Sequence, residues 1–186
     1  MPRIKVIPHS QATGRLKEIY DELIAKRGKL ADVHTIQSLR PESIVKHIDL
    51  YMEIMFTRSE LSRTEREMIA VVVSACNECE YCQAHHGEAL NHYWKDDEKV
   101  GQLRKDFRQV ELRKMELKLC EYAEILTKNP GSSKETDITE PLKQIGLSDN
   151  AILDATLVVA YFNFVNRIVL GLAVGLEEHQ GTGFNY

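Results

Sequence analysis

A chain of 186 residues has room for one domain of ordinary size and not for two comfortable ones. Its 43% hydrophobic and 28% charged residues support a packed core and exclude disorder as the starting expectation. The 24 Lys and Arg nearly balance the 28 Asp and Glu, and a net charge of −4 gives nucleic acid no electrostatic hold. Residues 1–10, with Pro2 and Pro8, read as an extended arm. The opening MPRIKVIPHSQ lacks the apolar stretch and cleavage site of a secretory signal, so the expected compartment is the cytoplasm. Leu16, Ile19, Tyr20, Leu23 and Ile24 give 12–27 a helical period, with Gly28 as its stop. Pro41 opens a second helix at a favoured first-turn place, and Ile44, Val45, Ile48, Tyr51, Met52 and Met55 form its apolar face.

Ser62-Arg-Thr-Glu65 is a capping box that starts a third helix ending near Asn77. A new helix is predicted from near Cys79 to about Trp94, and 95–110 reads as charged and irregular. Leu112, Met115, Leu119, Ala123 and Leu126 make 111–128 periodic. The stretch KNPGSS at 128–133 is a loop, and a short helix over 136–145 ends at Gly146. Ser148 or Asp149 caps a long apolar helix to about 164, continued to about 176, and the tail GLEEHQGTGFNY reads as irregular. No apolar run reaches the roughly 18 residues of a membrane span, so no membrane partner is expected.

The expected architecture is all-α, a single-domain helical bundle built around helical hairpins. Residues 1–60 would be an arm and two helices packing on a core formed by 61–186. A faint repeat supports this. Leu61-Ser62 and Leu147-Ser148 lie 86 residues apart, and at the same offset Asn77 meets Asn163 and Leu90 meets Leu176. Both copies read as a capped helix, an Asn at a break, then a second helix, but only the first contains cysteines.

The four cysteines are Cys76, Cys79, Cys82 and Cys120. Three of them within seven residues are not spaced like the staples of a disulfide scaffold. Cys79-x-x-Cys82 at a helix start puts two thiols one turn apart, where backbone N–H groups and the helix dipole favour thiolate. His86, four residues after Cys82, lies on the same face and can take a proton from a thiol. With a turn at Asn77, Glu67 sits roughly 15 Å before it and His86 roughly 13 Å after it on the antiparallel helix. The two side chains are therefore at nearly equal height, and a Glu–His–Cys relay is geometrically possible.

Glu67, eleven intervening residues, Cys79-x-x-Cys82, three more residues and then His86 resemble the core motif of the alkylhydroperoxidase D family, within the carboxymuconolactone decarboxylase superfamily. The resemblance covers most of the chain, including Asn163–Arg167, but its specific residues lie in 67–86. It implies an all-α fold, a homo-oligomer (trimer or hexamer) and reduction of hydroperoxides through a dithiol–disulfide cycle. It makes Cys82 peroxidatic, Cys79 resolving, and Glu67 and His86 the proton relay. The electron donor would be a dithiol or a thioredoxin- or lipoyl-type protein. No metal or cofactor is implied. Where the characterised enzyme has a histidine between the cysteines, this chain has Tyr81, with His85 as an extra imidazole; both are auxiliary candidates.

Three other readings of the same residues stand beside this one. Cys76, Cys79, Cys82 and His86 offer four ligands that zinc accepts, but a break at Asn77 works against their convergence. The pair could serve as a non-catalytic redox sensor. Decarboxylation of the superfamily type would not need the two cysteines. Cys76 and Cys120 read as small buried hydrophobes. Tyr161, Phe162 and Phe164 read as core or subunit interface. His9, His34, His47, His92 and His179 show no partner spacing and default to the surface.

Overall fold

The computed structural model describes residues 1–176, and the described residues contain helices and no strand. The helices are α1 (Gly14–Arg27), α2 (Asp32–Thr35), α3 (Pro41–Phe56), α4 (Arg63–Cys76), α5 (Glu80–Trp94), α6 (Asp97–Lys105), α7 (Lys114–Lys128), α8 (Glu140–Gln144) and α9 (Asp149–Leu172). The fold is all-α.

α4 lies at the centre and packs against α5, α7 and α9. Met68, Ile69, Ala70, Val71, Val72 and Val73 are all buried, so this stretch of α4 is covered on every side. Its start is fixed by the capping box. Ser62 Oγ accepts from the Glu65 N–H at 3.2 Å, and Glu65 Oε2 accepts from the Ser62 N–H at 2.7 Å. A second, smaller cluster joins Ala12, Leu16, Ile19, Tyr20 and Leu23 of the N-terminal part to Ile44 of α3. The arm is tied to the far end of the chain. Arg3 donates through Nη1 to the carbonyls of Leu170 and Gly171, both at 3.0 Å, at the C-terminal end of α9.

The structure corrects the expected elements in three places. The stretch 95–110 is not irregular but holds α6, capped by Asp96, followed by a 3₁₀ turn at Phe107–Gln109. Its apolar signal is only Val100, Leu103 and Phe107, all buried, among many charges. α2 is a short helix with no counterpart in the sequence pattern. α9 runs unbroken through Asn163, so the second copy of the repeat is not a hairpin. Asn163 has no need of a break: its amide donates to Val159 O at 3.0 Å and to Thr127 Oγ1 at 3.1 Å. The expectation of an irregular tail falls, from residue 177 on, outside the described residues.

α9 also revises the membrane reading. It is 24 residues long, with an 18-residue window of mean hydropathy 1.6, so by length and composition it could cross a membrane. In the fold it is a core helix, contacted by α3, α4 and α7.

Candidate active site

The site is built on the α4–α5 hairpin. α4 ends in a Schellman motif: Glu78 N–H donates to Ala75 O at 3.0 Å and Cys79 N–H to Ser74 O at 2.9 Å. The left-handed position of that motif is taken by Glu78, with φ 55°. Cys79 then serves as the N-cap of α5. The motif that closes one helix therefore places the first cysteine at the start of the next. Asn77 secures the turn from α9, its amide donating to Asn163 Oδ1 at 3.0 Å and Asn166 Oδ1 at 2.9 Å.

Across this hairpin His86 Nδ1 lies 2.7 Å from Glu67 Oε2. Glu67 is fully buried, and its other oxygen accepts from Arg63 Nε at 2.8 Å. Burial alone would raise the Glu67 carboxyl, but His86 and Arg63 outweigh it and hold the pKa below its ordinary value. An ionised carboxylate only accepts, so Nδ1 carries a hydrogen, and in the neutral ring the lone pair is on His86 Nε2. That leaves an oriented imidazole able to take a proton.

Cys79 and Cys82 are both buried, with no disulfide between them. The Cys82 thiol donates to the Cys79 sulfur, which lowers the Cys79 pKa against the effect of burial and raises that of Cys82 well above a free thiol. Such a pair loses its first proton as a unit. The Asn166 side chain also bonds Cys82 and favours its thiolate. Asn166 is fully buried, and its amide donates to Ser74 Oγ at 3.3 Å.

Cys82 and His86 line one cleft, of about 700 Å³ including its open mouth, together with Tyr51, Tyr81, Tyr161 and Phe162. Cys79 is not among its lining residues but lines a second pocket, with Val169 and Leu170.

Residues 44–105, which carry all of these hairpin groups, match the carboxymuconolactone decarboxylase family. The fold is similar to that of an uncharacterized peroxidase-related protein with an alkylhydroperoxidase AhpD core from Ralstonia eutropha JMP134. There the TM-score is 0.85 at 22% identity, covering 97% of this chain and 94% of that chain. A peroxidase-related protein from Silicibacter sp. TM1040 gives 0.82 at 26%, covering 95% and 92%. The fold of this chain is AhpD-like, and its central third is similar to the carboxymuconolactone decarboxylase family. The debrominase Bmp8, in complex with 2,3,4-tribromopyrrole, shares the fold with a TM-score of 0.78 at 16% identity over 96% of this chain and 93% of that chain. No curated protein matches the sequence.

The two auxiliary candidates, Tyr81 and His85, sit on the cleft wall. The Tyr81 and His85 rings lie 4.3 Å apart, and the Tyr81 hydroxyl accepts from the Val33 N–H at 3.3 Å. Cys120 is fully buried and Cys76 partly so, and burial raises both thiols. Among the described residues no three His, Cys, Asp or Glu side chains are grouped to hold a metal.

Two sequence readings are corrected here. His47 is not a surface residue: it is 4% exposed, between Gln37 and Tyr161. Tyr161 and Phe162 are cleft walls as well as core. Of the other histidines, His9 pairs with Asp21 at 2.6 Å and His34 lines the cleft, while His179 lies outside the described residues. Sequence reasoning also missed Arg63 and the contact of Asn166 with Cys82. Arg63 had a signal, since it stands one helical turn before Glu67 on the same face. Asn166 had none beyond its place in the Asn163–Arg167 resemblance.

Proposed function

We propose that this AhpD-like protein is a thiol-dependent peroxidase, with Cys82 as peroxidatic sulfur, Cys79 as resolving sulfur and Glu67–His86 as proton relay. The observation that carries the reading is the Glu67-oriented His86 in the same cleft as Cys82, with Cys79 behind it. Although Cys79 ionises more readily in the resting pair, Cys82 is the sulfur a bound peroxide meets. Its proton must therefore leave when substrate is in place, and His86 Nε2, one turn deeper on α5, is the base.

The step balances as follows. Cys82–SH gives its proton to His86, and the sulfur attacks the distal oxygen of ROOH. The O–O bond breaks, and the leaving oxygen takes the proton back from His86 as ROH. Cys82–SOH condenses with the Cys79 thiol, forming S–S and releasing water. The peroxide gains two electrons and the dithiol loses two. An external dithiol, or a thioredoxin- or lipoyl-type protein, restores both thiols by exchange.

The test is peptide mapping of reduced protein after one equivalent of cumene hydroperoxide, with timed alkylation, followed by turnover with excess dithiol. A rapid Cys79–Cys82 disulfide and sustained turnover are expected, both lost in Cys82→Ser. Two cysteines that stay alkylatable, or full activity in Cys82→Ser, would refute the assignment. A disulfide that forms without turnover would point to a redox sensor instead.

A further inference from the structure

A hydrogen-bond chain of fixed direction ends in the cleft. Gln37 Nε2 lies 2.8 Å from Val33 O and 2.7 Å from His47 Nδ1. The Val33 carbonyl can only accept, so the atom facing it is the amide nitrogen, and its second hydrogen points at His47 Nδ1. Nδ1 therefore accepts, and the hydrogen of the neutral imidazole sits on Nε2. His47 stays neutral because burial pushes its pKa down to about 4. Nε2–H then donates to Tyr161 Oη at 2.8 Å. Tyr161 is 5% exposed, and among the described residues no other group bonds its oxygen. Among the described residues its own hydrogen has no acceptor, and the ring lines the cleft beside Cys82 and His86.

We infer that Tyr161 is a further catalytic residue of this site, a hydrogen-bond donor aimed by Gln37 and His47 at the oxygen that departs when Cys82 takes the other. The inference rests on the peroxidase reading. Cys82 sulfur bonds the distal oxygen, the O–O bond breaks, and negative charge collects on the proximal oxygen. The Tyr161 O–H stabilises that charge until His86 delivers the proton, and Tyr161 keeps its own. Burial raises the phenol's pKa well above the ordinary range, so it is a donor throughout. A donor held in place before the charge appears needs no reorganisation during the step. Gln37 and His47 are positioning residues: they fix which way the phenol hydrogen points.

The experiment compares two reactions of the reduced protein. Cumene hydroperoxide oxidation of Cys82 has a departing oxygen for Tyr161 to stabilise, whereas alkylation of Cys82 by iodoacetamide has none. Tyr161→Phe is expected to slow the first by about 100-fold and leave the second unchanged. Gln37→Leu, which frees the imidazole to turn, is expected to give a smaller loss of the same kind, and it carries the test should Tyr161→Phe fail to fold. Equal peroxide rates in variant and wild type, or a parallel fall in both reactions, would overturn the role of Tyr161 alone. A wild type inert to peroxide would overturn the peroxidase reading and this inference with it.

Discussion

Glu67 is a fully buried carboxylate with two partners, and each partner needs it for a different reason. Arg63 is 13% exposed and sits 3.7 Å over the Phe56 ring, so without Glu67 it is a largely buried cation. His86 without Glu67 loses the acceptor that fixes its tautomer. Glu67→Gln is therefore expected to cost about 3 kcal/mol in urea unfolding and, separately, to slow Cys82 oxidation in the fraction that remains folded. The pH dependence has a definite sign. The Glu67 carboxyl is lowered in the fold, so its contribution is present above the ordinary carboxylate range and lost as pH falls through the lower folded value. His47 acts in a higher window. Its folded pKa is about 4 against 6.5 for a free imidazole, so between those values the unfolded chain binds a proton that the fold does not. Stability then rises with pH across that window, by about 3 kcal/mol for this group alone. Urea midpoints at pH 7 and pH 4.5 should differ less in His47→Gln than in wild type; equal differences would remove His47 from the account.

Helix ends, more than helix interiors, decide where the chemistry sits. The Ser62 capping box and the Ser148 cap were legible because capping is local: three residues and a side-chain oxygen suffice. The break at Asn77 was legible too, but its partner Asn163 misled, since an Asn mid-helix looks the same in sequence whether or not neighbouring helices satisfy its amide. α6 was missed because Val100 and Leu103 are a thin apolar signal among Asp97, Glu98, Lys99, Arg104 and Lys105. The α4–α5 turn holds an unexpected cost. Its left-handed position is taken by Glu78, at φ 55°, where glycine is the usual occupant. Glu78→Gly is expected to gain about 1 kcal/mol, the relief of the left-handed strain less the added freedom of the unfolded glycine. The thermal midpoint should rise by about 3 °C. A fall would mean that the Glu78 side chain supports the turn in a way its backbone does not reveal.

Contacts within one hairpin can be counted along the chain, which is why the Glu67–His86 pair was visible before any coordinates. Contacts between α3, α5 and α9 cannot, because His47, Cys82, Tyr161 and Asn166 meet only through packing. The same helix that brings Tyr161 and Asn166 to the site turns another face outward. Leu153, Leu157 and Phe164 are 56%, 40% and 47% exposed, and with Ala160 they form one stripe at spacings of three and four along α9. On α3, Leu50 and Met52 are also exposed, at 45% and 39%. A stripe of large apolar side chains on a core helix is the kind of surface that assembling chains bury, and we propose on this ground that the chain forms the homo-oligomer its family resemblance implies. Light scattering is expected to give a mass of several chains for wild type and a smaller mass for Leu157→Glu. Tyr161 and Asn166 are buried whereas Leu157 is 40% exposed, so the variant should still form the Cys79–Cys82 disulfide with cumene hydroperoxide. A single-chain mass for wild type would leave the stripe exposed in solution and end the oligomer proposal. Loss of disulfide formation in a dissociated variant would mean instead that the site is complete only within the assembly.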